Sequence, residues 1–184
     1  MTDLACRRGG RLLFEGLNFR VAPGGAVQLE GANGTGKSSL LRLLAGLLAP
    51  AAGTISGGGT RGWLGHDVAL KGRMRLIDEL THWARLDGGI ARLPAAMAAV
   101  NVAALADVPC RHLSSGQRRR AGLARVIASG APLWLLDEPT AGLDVASAAL
   151  LARAMADHRA AGGMVVAAVH GDIGLVDAQR VRLS

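Results

Sequence analysis

The chain has 184 residues, half of them apolar, with 26 glycines, two cysteines and a formal net charge of +7. That length builds one domain, or one domain with a small subdomain, and that apolar share supplies a sizeable core and excludes a disordered chain. A basic excess suits nucleic acid or an anionic surface. The arginines are scattered, however, Tyr is absent and only two Phe are present; the stacking platforms of a single-strand binder are poorly supplied, and no nucleic-acid partner is expected.

In chain order, Gly24-Gly25 marks a turn, and Ala26-Val-Gln-Leu-Glu30 alternates as a strand. The strand runs into Gly31-Ala-Asn-Gly-Thr-Gly-Lys-Ser-Ser39, after which Leu40, Leu41, Leu43, Leu44, Leu47 and Leu48 recur at helical spacing. Residues 51–59 read as a small-residue turn region and 61–65 as a short strand. From about 74 to 106 the chain is Ala/Leu-rich without a strand-like run, which predicts two or three helices. A loop at 113–117 and a helix at 118–128 follow, so residues 74–128 form a helical insertion in the core. Leu133-Trp-Leu-Leu136 is a continuous apolar run of the buried parallel-strand kind. A helix at 146–159, a second buried strand at 164–169 and a last strand at 180–183 complete an α/β chain with a mostly parallel sheet.

Residues 31–38 fit the phosphate-loop pattern G-x-x-x-x-G-K-[ST], placed between strand and helix as that pattern requires. Gly31, Gly34 and Gly36 let the backbone curl, so that N–H groups along Gly31, Ala32, Asn33, Gly34, Thr35, Gly36, Lys37, Ser38 and Ser39 face phosphates. The helix N-terminus adds partial positive charge. Lys37 would reach the β- and γ-phosphates, and the Ser38 hydroxyl would ligate Mg²⁺. Asp137 and Glu138 end the apolar strand at the sheet edge where open α/β sheets bind ligands. Asp137 suits Mg²⁺, and Glu138 suits orientation of an attacking water. These residues alone fit a kinase, a GTPase, a helicase or a transporter motor.

Further pieces narrow the choice. Leu113-Ser-Ser-Gly-Gln117 precedes the carboxylates, Pro139 to Asp144 follows them, and His170 ends the strand begun at Met164. This order, over essentially the whole chain, resembles the ATP-binding cassette (ABC) ATPase family. The resemblance implies a P-loop cassette with an N-terminal antiparallel β part and a small helical subdomain, working with ATP and Mg²⁺. It further implies that two cassettes, expected to be a homodimer, pack head to tail. Leu113, Ser114, Ser115, Gly116 and Gln117 would then meet the ATP of the partner chain, His170 would contact the γ-phosphate from its own chain, and Asp144 would couple the two sites. The sequence departs from the family pattern at Ser115 (usually Gly), at Asp67 (usually a Gln that ligates Mg²⁺, as the Asp67 carboxylate can too), and near Arg8, where an aromatic normally stacks on adenine. An Arg can also stack on a base, and loose preference for ATP over GTP follows.

Leu64-Gly-His-Asp-Val-Ala-Leu-Lys71 and the Leu-Ser-x-Gly-Gln-x-Arg-Arg run are similar to the cytochrome c maturation ATPases, the ATP-binding subunits of haem exporters. That resemblance implies integral membrane transporter subunits as partners and a peripheral place on the cytoplasmic face of the bacterial inner membrane. Another small exporter, or a soluble cassette ATPase of cluster assembly, are the alternative readings. No signal peptide is visible, and the apolar region 40–52, broken by Arg42 and Pro50, is too short to span a bilayer. Cys6 and Cys110 are expected as free thiols, and Cys110-Arg-His112 is not a haem attachment motif. His66, His82, His112 and His158 stand in no metal-ligand pattern and are read as structural.

Overall fold

The computed structural model describes residues 1–57, 59–171 and 173–184. Its eight strands are β1 (Thr2–Arg8), β2 (Arg11–Leu17), β3 (Ala26–Glu30), β4 (Ala52–Thr54), β5 (Arg61–Leu64), β6 (Leu133–Asp137), β7 (Met164–Ala168) and β8 (Gln179–Arg182). The main sheet runs β5-β6-β7-β3-β8, and every pair in it is parallel. A smaller antiparallel sheet has the order β2-β1-β4. The expected α/β class, mostly parallel with an antiparallel N-terminal part, is therefore borne out.

Both faces of the main sheet are covered, which is why β6 and β7 read as unbroken apolar runs. The side chains still alternate. Leu135, Val166, Val27 and Leu29 join one core with Leu40, Leu41, Leu43 and Leu44 of α1 (Lys37–Leu44) and with Leu4, Cys6 and Phe14 of the small sheet. Trp134, Leu136, Val165 and Ala167 join the other core. That core takes its helical side from α2 (Leu76–Leu86), α3 (Leu93–Ala99), α4 (Ser115–Ser129) and α5 (Val145–Ala160). Each fully buried Leu is worth about 1.5–3 kcal/mol on area alone, so α1 is held by its leucine face, not by its eight-residue length.

Three details differ from the sequence reading. The turn region 51–59 contains β4, antiparallel to β1; Ala-Gly-Thr is short and exposed, and it carries no strand pattern. Helix α1 stops at Leu44, with Gly46 at φ +74° beyond it, and Leu47 is 64% exposed rather than part of the helical stripe. Helix α4 begins at Ser115, three residues early, because Ser114 caps it. Between β5 and β6 the described chain forms helices, turns and one isolated bridge, Arg75 to Pro109. Both cysteines are buried free thiols. Among the described residues no helix is long and apolar enough to cross a membrane.

Candidate functional site

The site lies where β3, β6 and β7 end. Gly36, at φ +103°, is the N-cap of α1. A Cβ there would meet the Phe14 ring and Leu13 Cβ of β2 at 3.1–3.2 Å. Only Gly allows both the left-handed turn and this close approach. Lys37 is 7% exposed. Its Nζ donates to the carbonyls of Gly31 (2.7 Å) and Ala32 (3.1 Å), so the ammonium lies along the curl of its own loop.

Ser38 Oγ donates to Asp137 Oδ1 at 3.0 Å. Asp137 is 2% exposed, and its Oδ2 is buried without a hydrogen-bond partner. A buried carboxylate oxygen left unpaired is costly; beside a hydroxyl it forms a hard-oxygen pair suited to Mg²⁺. No cluster of three or more His, Cys, Asp or Glu among the described residues could cage a metal. Mg²⁺ keeps several waters and takes one or two protein ligands plus substrate phosphates, and Ser38 with Asp137 could supply two. Asp67 is exposed and forms no hydrogen bond or ion pair with Ser38 or Asp137.

Glu138 follows at φ +48°, a left-handed conformation uncommon outside Gly. Its N–H donates to the Ala168 carbonyl of β7 at 2.9 Å, which fixes the kink. Strain of this kind gathers at functional positions. Two imidazoles flank the carboxylate: His170 Nε2 stands 3.7 Å from Oε1, and His66 Nδ1 stands 3.4 Å from Oε2. Behind them lies Arg119, 6% exposed. It donates to the carbonyls of Gly65 (2.7 Å), His66 (2.9 Å) and Asp137 (3.4 Å). Burial lowers the Arg119 pKa, against the opposing pull of Asp137, Glu138 and Asp67.

Ser114 and Gln117 form a capping box at α4: Ser114 Oγ accepts from the Gln117 N–H, and Gln117 Oε1 accepts from the Ser114 N–H. Ser115 and Gly116 fill the first turn, where N–H groups remain open to an anion. A Cβ on Gly116 would come within 2.7 Å of the Gly142 carbonyl, so residues 113–117 and 141–144 pack against each other. Asp144 caps α5, accepting from Ser147 N–H at 2.7 Å, and the Ser147 hydroxyl and N–H hold its carboxyl below the usual range. Among the described residues, no hydrogen bond or ion pair joins 113–117 to the 31–39 loop of the same chain.

His66 and Arg119 are the site residues that the sequence reading did not single out. The structure places His66, read from the sequence as structural, 3.4 Å from Glu138. Position after a strand at the binding edge was its one sequence signal. Arg119 stood inside a run of three arginines, but its spacing with Leu123 and Val126 marks the buried face of α4. His158 is structural: its ring stacks on Trp134 with centroids 4.0 Å apart.

The fold and this edge define an ATP-binding cassette. The ABC transporter family pattern matches residues 14–141, and the chain belongs to that family. In particular, it is 52% identical to the cytochrome c biogenesis ATP-binding export protein CcmA of Rhodospirillum rubrum, across 94% of this chain and 80% of that one. It is 50% identical to the CcmA of Novosphingobium aromaticivorans, across 98% and 91%. A solved ATP-binding subunit of an ABC transporter superposes with a TM-score of 0.82 at 23% identity, over 92% of this chain and 78% of that one, a likeness of fold.

Proposed function

We propose that this chain is the ATP-hydrolysing subunit of an export complex in cytochrome c biogenesis, with haem as the cargo. The observation that carries the hydrolytic part is the join of Ser38 to Asp137, with an unpaired Asp137 oxygen and Glu138 one residue on. Similarity to the CcmA proteins carries the biological part.

In this reading residues 31–39 cradle the ATP phosphates, and Lys37 exchanges its loop carbonyls for phosphate oxygens. Ser38 and Asp137 would hold Mg²⁺, which would offset charge on the phosphates. Glu138 accepts a hydrogen bond from the water that attacks the γ-phosphorus as the bond to the bridging oxygen breaks. His170 donates to the γ-phosphate. Ser114 and the N–H groups of Ser115 and Gly116 would complete the site of a second copy, so the working unit is a dimer of cassettes on integral membrane subunits. Its place is the cytoplasmic face of the inner membrane.

Two measurements test this. Glu138→Gln abolishes steady-state turnover and accumulates an ATP-bound dimer; normal hydrolysis overturns the role of Glu138. Deleting the gene removes covalently haem-stained proteins from membranes; unchanged staining overturns the cytochrome assignment and leaves another small exporter or a cluster-assembly ATPase.

A further inference from the structure

Glu138 is gripped from two separate loops. His170 follows β7, and His66 follows β5. Each points one nitrogen at a different carboxylate oxygen, 3.7 Å from Oε1 and 3.4 Å from Oε2. Both separations are longer than a formed hydrogen bond, as is common before substrate draws a site together. His170 faces Glu138 through Nε2; once that N–H donates to a phosphate oxygen, Oε1 loses its neighbour. His66 Nδ1 faces the other oxygen, Oε2, at 3.4 Å, so its approach does not compete with the one that His170 gives up.

The loop bearing His66 is also anchored. Arg119 binds the carbonyls of Gly65 and His66 with one guanidinium and reaches the Asp137 carbonyl with the same Nη1 that holds Gly65. One buried cation thus sets the distance between the His66 backbone and the end of β6. The side chain of His66 is 60% exposed, so it adds little to the core and is free to act on Glu138.

From this geometry we infer that His66 is a positioning residue for Glu138, holding Oε2 so that the carboxylate stays aimed at the water when His170 turns to the γ-phosphate. The inference rests on the hydrolytic reading above. It assigns His66 a donor role that depends on Nδ1, not on ring volume.

The test uses the full chain with Mg-ATP and three variants. His66→Leu keeps bulk and removes the donor, His66→Asn places an amide N–H near the Nδ1 position, and Glu138→Gln is the control. We expect His66→Leu to lose about tenfold to a hundredfold in kcat, the scale of a misplaced reacting group. Its ATP affinity and thermal midpoint should stay at wild-type values, and His66→Asn should regain most of the loss. Wild-type turnover in His66→Leu, with Glu138→Gln inactive, overturns this inference and leaves the hydrolytic reading standing. A His66→Asn as slow as His66→Leu overturns the donor role. Full turnover in Glu138→Gln overturns both readings together.

Discussion

Ser38 Oγ and Asp137 Oδ1 meet at 3.0 Å, joining the first turn of α1 to the last residue of β6. Two motifs 99 positions apart in the chain thereby become one oxygen-lined corner. Asp137→Asn keeps the shape and gives up the charge. We expect turnover to fall about a hundredfold or more, the scale of a lost electrostatic group in a site. The Mg²⁺ concentration for half-maximal activity should rise as well. Activity assayed across a Mg²⁺ titration checks this, and an unchanged Mg²⁺ dependence counts against the corner as the cation site.

Arg8 ends β1 with an exposed guanidinium, paired in register with Arg11. With an Arg where an aromatic would stack, ATP and GTP should be hydrolysed at rates within about tenfold of each other, a gap of 1.4 kcal/mol or less. Arg8→Trp should widen the gap in favour of ATP. Parallel turnover assays with both nucleotides decide it.

Arg119→Met removes the cation that pairs three backbone carbonyls. Leaving these carbonyls, two of them only partly buried, without that donor should cost about 1–3 kcal/mol of stability. Urea unfolding measures this, and a loss below 1 kcal/mol would mean that water takes over the bonds.

Trp134 and His158 stack 9° from parallel, and burial lowers the His158 pKa from its ordinary 6.5. The unfolded chain therefore takes up the proton more readily than the folded one. Stability from this group is complete above about pH 6.5 and falls as the pH drops from there toward the folded-state pKa. His158→Phe keeps the stack and should flatten that part of the profile. Thermal melts of both proteins at pH 7.5 and pH 5.5 compare the slopes; equal losses would exclude His158 as the source.

The phosphate loop, the apolar strand before Asp137 and the leucine face of α1 were legible because local pattern and motif agree there. Elsewhere the determining contact lies far away in sequence. Strand β4 exists because its backbone pairs with β1, and Ala-Gly-Thr announces nothing. Arg118, Arg119 and Arg120 look like a solvated charge run. In the fold each caps carbonyls of a different segment: Leu113 and Arg111, then Gly65 and His66, then Val100 and Asn101. His66 acquires its meaning when β5 is laid beside β6, a relation that no local window contains.

Gly116 and Gly142 touch through bare backbone, and Ser115 Oγ lies 3.3 Å from where a Gly142 Cβ would stand. At that contact the segment capped by Ser114 and the loop that ends at Asp144 abut without room for a further side chain. A second copy that met Ser114 in the proposed dimer would therefore bear on both segments at once. The chain from Glu138 to Asp144 runs directly into that contact, so the proposed partner surface and the end of the proposed hydrolytic strand share one backbone seam.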